Sequence, residues 1–362
     1  MSVAAQQQSS IETTTHHGRS IPMAVMQTLI KPLRPRLAES SKTVDELHPR
    51  LTAPTNLYKT CDVQEQQVGD LYVYNITRKR NAAVGVTAET SLAGVIKNRI
   101  IYFAGGGWQQ PPTDAHWRTL GNMITAELGD QRPEVGDLAV SVVSYPLAPK
   151  NPAKVSFPKS ACTYAELMRN AHRNGERVVV MGDSAGGNLA AAIVLDALAQ
   201  AVDDADPVPA PSAMFLLSPS VDLTRSNPDM ETTAKLDPLL TSAATTKTAA
   251  AWIGVSSSTD LTNQGEWAAQ DPRLSPLLTP ANTLALLRAS NVAVHGLVGT
   301  YDMLTPDALK FRDRCADVGV RGQWLVAEGQ MHCFLLAGDV FAFAECKRAT
   351  AWLSKVLREE FQ

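Results

Sequence analysis

The sequence predicts an α/β fold, a mostly parallel central sheet with helices on both faces, on three observations. Apolar runs at 138–144, 177–181, 213–217, 292–298 and 322–327 are separated by helical stretches, the spacing of parallel strands joined by right-handed crossovers. The run Val178-Val179-Val180-Met181-Gly182-Asp183-Ser184-Ala185-Gly186-Gly187-Asn188-Leu189-Ala190 joins a buried-strand pattern to an alanine-rich helix through a turn with one serine among glycines. A length of 362 residues, 44% of them hydrophobic, accommodates one large domain with a lid and a sizeable core. With 22 Gly and 22 Pro, the turn-forming share is ordinary for a globular chain.

Taken from the N-terminus, residues 1–20 are polar and predict a disordered tail. Spaced Met, Val, Leu and Ile between Met23 and Leu47 predict one or two lid helices, so 21–60 reads as an N-terminal cap segment and 61–362 as the main domain. Two strand-like runs, Leu71 to Thr77 and Ala83 to Thr87, flank Arg78-Lys79-Arg80, which reads as a solvated hairpin tip. Arg99 to Phe103 is a strand that ends in Gly105-Gly106-Gly107-Trp108. Between about 221 and 270 the pattern turns helical and loop-rich, with Asp237-Pro238-Leu239-Leu240 and an Ala-Thr run, and reads as a cap insertion.

The chemistry starts at Ser184. Gly182-Asp183-Ser184-Ala185-Gly186 fits G-x-S-x-G, where small neighbours let a strained serine stand clear of the sheet beside the next backbone N–H. Such a serine needs a base and an orienting carboxylate. Of seven histidines, His16, His17, His48, His116 and His172 read as solvated, and His295 as a core or strand-end residue. His332 remains, beyond the strand 322–327 and ahead of a terminal helix. Asp302, where the strand 297–301 runs into a loop, supplies the acid in the chain order Ser, Asp, His. Its rivals are Glu328, four residues before His332, and Asp307, which reads as a solvated first-turn carboxylate complementing a helix dipole. Gly106, Gly107 and Ala185 are the expected oxyanion donors, since a glycine strand end lets backbone N–H groups approach a carbonyl closely. No phosphate-loop spacing accompanies the glycines.

Several of these motifs together resemble the hormone-sensitive-lipase-like esterases of the α/β-hydrolase superfamily, with a likeness to the fungal-type branch. Gly105-Gly106-Gly107 resembles that family's H-G-G-G loop, Tyr145-Pro146-Leu147-Ala148-Pro149-Lys150 its Y-x-L-A-P-E segment, and Gly182 to Asn188 its G-D-S-A-G-G-N elbow. Asp271-Pro272-Arg273-Leu274-Ser275-Pro276-Leu277 resembles its D-P-x-x-S-P-L stretch, and Tyr301-Asp302-Met303-Leu304 and Met331-His332-Cys333-Phe334 fall at the acid and base motifs. The resemblance implies an α/β-hydrolase fold with a helical cap and a Ser184–His332–Asp302 triad. Two departures stand out. Ala104 replaces the loop's leading histidine, so the glycines must be held by other contacts; Lys150 replaces a glutamate and no acid follows Phe157-Pro158, which implies altered packing.

The expected activity is hydrolysis of a carboxylic ester, a lactone or an acetylated natural product through an acyl-enzyme, in a tailoring step of secondary metabolism. An acyltransferase or other non-hydrolytic tailoring enzyme, an amidase or formamidase, and a non-catalytic small-molecule binder are the alternatives. Trp108, directly after the oxyanion glycines, is the leading pocket residue; Phe103, Met23, Met26, Leu29, Trp252 and Trp267 are further candidates. A net charge of −3 argues against nucleic-acid or acidic-lipid partners. Five cysteines without C-x-x-C spacing predict neither metal nor disulfides and fit a reducing, cytoplasmic setting. No cofactor is implied, and no apolar stretch has the length of a membrane span.

Overall fold

The computed structural model describes residues 9–34, 49–79, 96–127, 137–256, 261, 266–341 and 343–362. In chain order they form β1 (Ile11–His16), α1 (Ile21–Ile30), β2 (Cys61–Val68), β3 (Leu71–Arg78), β4 (Ile96–Phe103), α2 (Asp114–Asn122), β5 (Asp137–Ser144), α3 (Ala153–Arg173), β6 (Arg177–Asp183) and α4 (Ser184–Gln200). There follow β7 (Ala213–Leu217), α5 (Asp229–Ala234), α6 (Ser242–Ile253), α7 (Ala281–Ala289), β8 (Ala293–Tyr301), α8 (Thr305–Asp317), β9 (Gly322–Met331), α9 (Phe334–Phe341) and α10 (Ala344–Glu360).

The strands make one nine-stranded sheet in the order β1-β9-β8-β7-β6-β4-β5-β3-β2. Every pairing from β1 through to β5 is parallel, and the pairings of β3 with β5 and with β2 are antiparallel, so β3 alone runs against the rest. Alternation within the strands splits the core: Val178 and Val180 pack on one face with α3, α4, α7 and α8, while Val179 and Met181 pack on the other with α2 and α10. Both faces are therefore dry, and the unbroken Val178-Val179-Val180-Met181 run follows from that double burial.

Two expectations are corrected here. The N-terminal 20 residues are not uniformly disordered, because Ile11–His16 adds an edge strand parallel to β9, from Ile11 opposite Gly322 to His16 opposite Ala327. The β-branched run Ile11, Thr13, Thr14 and Thr15 carries the strand propensity, and Ile11 is buried. Polarity masked it, since an edge strand exposes most of its side chains. The expected partner of 71–77 was 83–87, which lies outside the described residues; β3 is instead flanked by β2 and β5, so both of its edges are taken, and Arg78 is its last residue, opposite Cys61 of β2.

The N-terminal segment and the 221–270 region meet. Lys31 Nζ donates to Lys235 O at 2.6 Å, and Arg34 Nη1 to the carbonyls of Ala234 and Asp237 at 3.2 and 2.8 Å. Residues 35–48 of the expected cap lie outside the described residues, as do 257–260 and 262–265. Together α1, α5 and α6 stand beside the carboxyl ends of the parallel strands, where open α/β sheets carry their ligand sites.

Candidate active site

Four parallel strands deliver the site. β6 ends at Asp183, and α4 starts at Ser184 with φ +52°, a left-handed conformation that a non-glycine residue adopts at a cost. The tight turn depends on Gly186: a Cβ there would lie 2.0 Å from Phe103 O, so only glycine lets the elbow sit against β4. Asp302 follows β8 and His332 follows β9.

The three side chains form a continuous relay. Ser184 Oγ lies 2.9 Å from His332 Nε2, and His332 Nδ1 lies 2.9 Å from Asp302 Oδ2. Asp302 is fully buried and its Oδ1 accepts from Leu304 N at 2.9 Å, which fixes the carboxylate. The carboxylate accepts a hydrogen bond from Nδ1–H and so keeps the proton on that nitrogen, which leaves Nε2 as the lone-pair nitrogen that accepts from the serine hydroxyl. Burial disfavours the imidazolium, but the adjacent Asp302 carboxylate outweighs it, and the His332 pKa stands well above 6.5. Glu328, the rival acid, is directed away and pairs with His17 at 3.0 Å.

The glycine loop expected to receive an oxyanion follows β4. The N–H groups of Gly106, Gly107 and Ala185 donate to no protein acceptor among the described residues, and all three residues line the cavity that holds Ser184 and His332. Gly106 and Gly107 have φ of +131° and +59°, which aim these N–H groups by backbone conformations that L side chains rarely adopt. Ala185 N–H also belongs to the first turn of α4, where the helix dipole favours negative charge.

The loop is held from behind by Asp183. Gly105 N donates to Asp183 Oδ1 at 2.8 Å, and Tyr102 O–H donates to the same oxygen at 2.6 Å. Asp183 Oδ2 lies 3.3 Å from His116 Nε2. His116 Nδ1 accepts from Thr113 N at 3.0 Å, so the ring proton sits on Nε2 and faces the carboxylate. Tyr145 O–H donates to Ala104 O at 2.7 Å, and Ala148 N to Trp108 O at 2.8 Å. These contacts hold the loop that begins at Ala104.

His116 is thus a correction: it is buried, not solvated. Its capping position on α2 turns the ring inward onto the elbow, a tertiary contact that local polarity does not reveal. Asp307 is a second correction. It does occupy the first turn of α8, but it is 1% exposed, accepts from Asn227 Nδ2 at 2.7 Å, and burial pushes its pKa up to about 6. Asp237, overlooked as a site residue, accepts from Leu239, Leu240 and Met303 N–H, and so ties the cap to the residue after Asp302. Burial and the Asp302 charge push its pKa up to about 6. Its one sequence signal is the Asp-Pro dipeptide, which marks a turn and not a buried carboxylate.

The cavity measures about 240 Å³. Trp108 lines it, with its ring stacked on Trp252 at 5.6 Å between centroids. None of the other proposed pocket residues lines it: Phe103 and Met23 are core, Met26 packs against that core, Leu29 is 68% exposed, Trp252 stands behind Trp108, and Trp267 lies beside Phe157 and Arg273. Cys333 Sγ comes within 3.5 Å of His332 Nε2, but burial pushes the thiol up to about 11, so it stays protonated at neutral pH. Lys159, which follows Phe157-Pro158, pairs with Asp70.

Residues 100–336 match a family described by the α/β hydrolase fold. The chain belongs to that family. This α/β-hydrolase-fold protein is also similar in fold to solved structures. A carboxyl esterase from the mycorrhizal fungus Tuber melanosporum has 18% identity and a TM-score of 0.71, covering 95% of this chain and 100% of that one. A hormone-sensitive-lipase homologue from a metagenome library has 19% identity and a TM-score of 0.68, with the same coverage. A hormone-sensitive lipase from a metagenome library has 18% identity and a TM-score of 0.63, covering 96% and 94%. No curated protein matches the chain. Among the described residues no cluster of His, Cys, Asp or Glu could hold a metal ion, no helix is long and apolar enough to cross a membrane, and all five cysteines are free thiols.

Proposed function

We propose that Ser184 is the nucleophile of a carboxylic ester hydrolase, with His332 as general base and Asp302 as its orienting acid. The observation that carries this reading is the unbroken relay from Ser184 Oγ through His332 to Asp302, 2.9 Å at each step. Ser184 Oγ attacks the ester carbonyl as its proton passes to His332 Nε2; Gly106, Gly107 and Ala185 N–H receive the oxyanion. The imidazolium then protonates the leaving alkoxide, and a water deprotonated by the same nitrogen cleaves the acyl-enzyme.

The upward shift of the His332 pKa supports the scheme, since Asp302 stabilises the imidazolium that forms during attack. A cavity of about 240 Å³ walled by Trp108 fits a short to medium acyl chain. Action on lactones or acetylated natural products in secondary metabolism rests on the sequence resemblance, and a cytoplasmic setting on the free thiols. The test is hydrolysis of p-nitrophenyl esters of increasing chain length by the wild type and by Ser184→Ala. Turnover that the variant retains would overturn the assignment.

A further inference from the structure

One wall of the cavity carries a cation that the hydrolytic scheme leaves unused. Arg225 lines the same cavity as Ser184, Trp108 and His332. It holds φ +53°, a left-handed backbone that a non-glycine residue adopts at a cost, of the kind retained at ligand-facing positions. Nη1 donates to Asp222 O at 2.8 Å and Nη2 to Ser220 Oγ at 2.9 Å. Ser220 N in turn donates to Ser184 O at 3.1 Å, so a single residue links the guanidinium to the nucleophile's backbone.

A guanidinium has five N–H donors. Two are used by these contacts and Nε–H is buried without an acceptor, which leaves further Nη protons for a ligand. Asp222 and Asp307 are the acidic groups facing Arg225 and both favour its charge from a distance; Asp222 Oδ1 accepts from Thr224 N and Oγ1 and Asp307 Oδ1 from Asn227, while Asp307 Oδ2 has no hydrogen-bond partner among the described residues. Neither makes a hydrogen bond to the guanidinium among the described residues. Pinning two loop oxygens requires only neutral donors. Placing a charge here costs desolvation, enough to lower the Arg225 pKa, and an anion in the cavity offsets that cost.

We propose that Arg225 is an anion subsite of the reaction cavity, which receives a carboxylate carried by the ester substrate. The preferred substrates are then half-esters of dicarboxylic acids, or esters with an equivalent acidic arm. Trp108 and Leu240 line the same cavity and supply apolar wall for the substrate's carbon chain. This rests on the reading of Ser184 as an ester-cleaving nucleophile and names what the site selects.

The test compares 4-nitrophenyl hydrogen adipate with its neutral carboxamide isostere and with 4-nitrophenyl hexanoate, on wild type, Arg225→Gln and Arg225→Lys. The expected wild-type preference for the carboxylate over the carboxamide is about 10- to 100-fold in kcat/KM, the range of a charge-assisted hydrogen bond. Arg225→Gln should lose that preference through KM while changing hexanoate turnover less than about threefold, and Arg225→Lys should recover part of it. Equal losses on all three esters would mean that Arg225 only pins its loop, and would overturn the proposal. So would a wild type indifferent to the carboxylate, a result that needs no variant to fold. If no ester is turned over, the hydrolytic reading fails, and calorimetry of monoethyl adipate binding decides the subsite alone: equal affinity for wild type and Arg225→Gln would refute it.

Discussion

Replacing Asp183 by asparagine removes one charge and one acceptor from behind Ser184, the proposed nucleophile, and the consequences follow from its partners. The side-chain oxygen that stays keeps Tyr102 O–H and Gly105 N–H, but as neutral hydrogen bonds. Charge-assisted bonds contribute about 1.5–3 kcal/mol and neutral ones about 0.5–1.5, so roughly 1 kcal/mol is lost at each. The new amide then faces the His116 Nε2 proton, donor against donor. Moving that proton to Nδ1 would oppose it to Thr113 N–H, so one buried donor goes unsatisfied either way, at about 1–3 kcal/mol. The sum is ~3–5 kcal/mol, shared between global stability and the position of the oxyanion loop. Losing one oxyanion donor outright costs about 10²–10³ in kcat, so a loosened Gly105 anchor should lower kcat about 10- to 100-fold with KM little changed. The assay is steady-state kinetics on a p-nitrophenyl ester beside urea unfolding. A variant with wild-type kcat and an unchanged midpoint would refute the view that Asp183 holds the loop.

Other outcomes follow from the same contacts. Because His332 must be neutral to accept the serine proton and its pKa stands above 6.5, kcat/KM should fall as pH drops through a limb above 6.5; Asp302→Asn should shift that limb downward, and a profile flat between pH 6 and 9 would count against His332 as base. Asp307, raised to about 6 by burial, carries a charged form penalised in the folded state, so stability declines as pH rises from about 4 through 6. Asp307→Asn should therefore gain ~2–3 kcal/mol over wild type above pH 6 in urea unfolding and nothing near pH 3.5. Trp252→Ala removes the ring stacked behind Trp108 and should cost about 3–5 kcal/mol while moving the chain-length optimum to longer esters; an unmoved optimum would separate Trp252 from the pocket.

How much of this was legible in the sequence depends on whether an element's role was local. The β6–α4 junction was readable because a doubly buried strand leaves an unbroken apolar run and the elbow demands glycine at fixed offsets, Gly186 against Phe103 O among them. Asp302 and His332 were readable because each follows a strand that ends at the same edge of one sheet. Strand β1 was not: it lies at the sheet edge, where only Ile11 is buried and threonines look like tail. His116, Asp237 and Arg225 were missed for a related reason, since each is polar, sits in a loop or at a helix start, and gains its role from a partner 67 positions away for His116, 66 away for Asp237, or from the cavity it faces for Arg225. Ala104 showed that the loop needed another anchor, but Asp183 and Tyr145 emerge as that anchor only once β4, β5 and β6 lie side by side.

The most direct test of the central claim is the site and rate of labelling by a fluorophosphonate, read by intact mass and peptide mapping. Fluoride leaves as Ser184 Oγ bonds to phosphorus and its proton passes to His332. The expected result is one adduct per chain on Ser184, absent in Ser184→Ala and formed at least about 10²-fold more slowly in His332→Ala. An adduct on Cys333 or elsewhere, or labelling of Ser184 at the wild-type rate without His332, would contradict it.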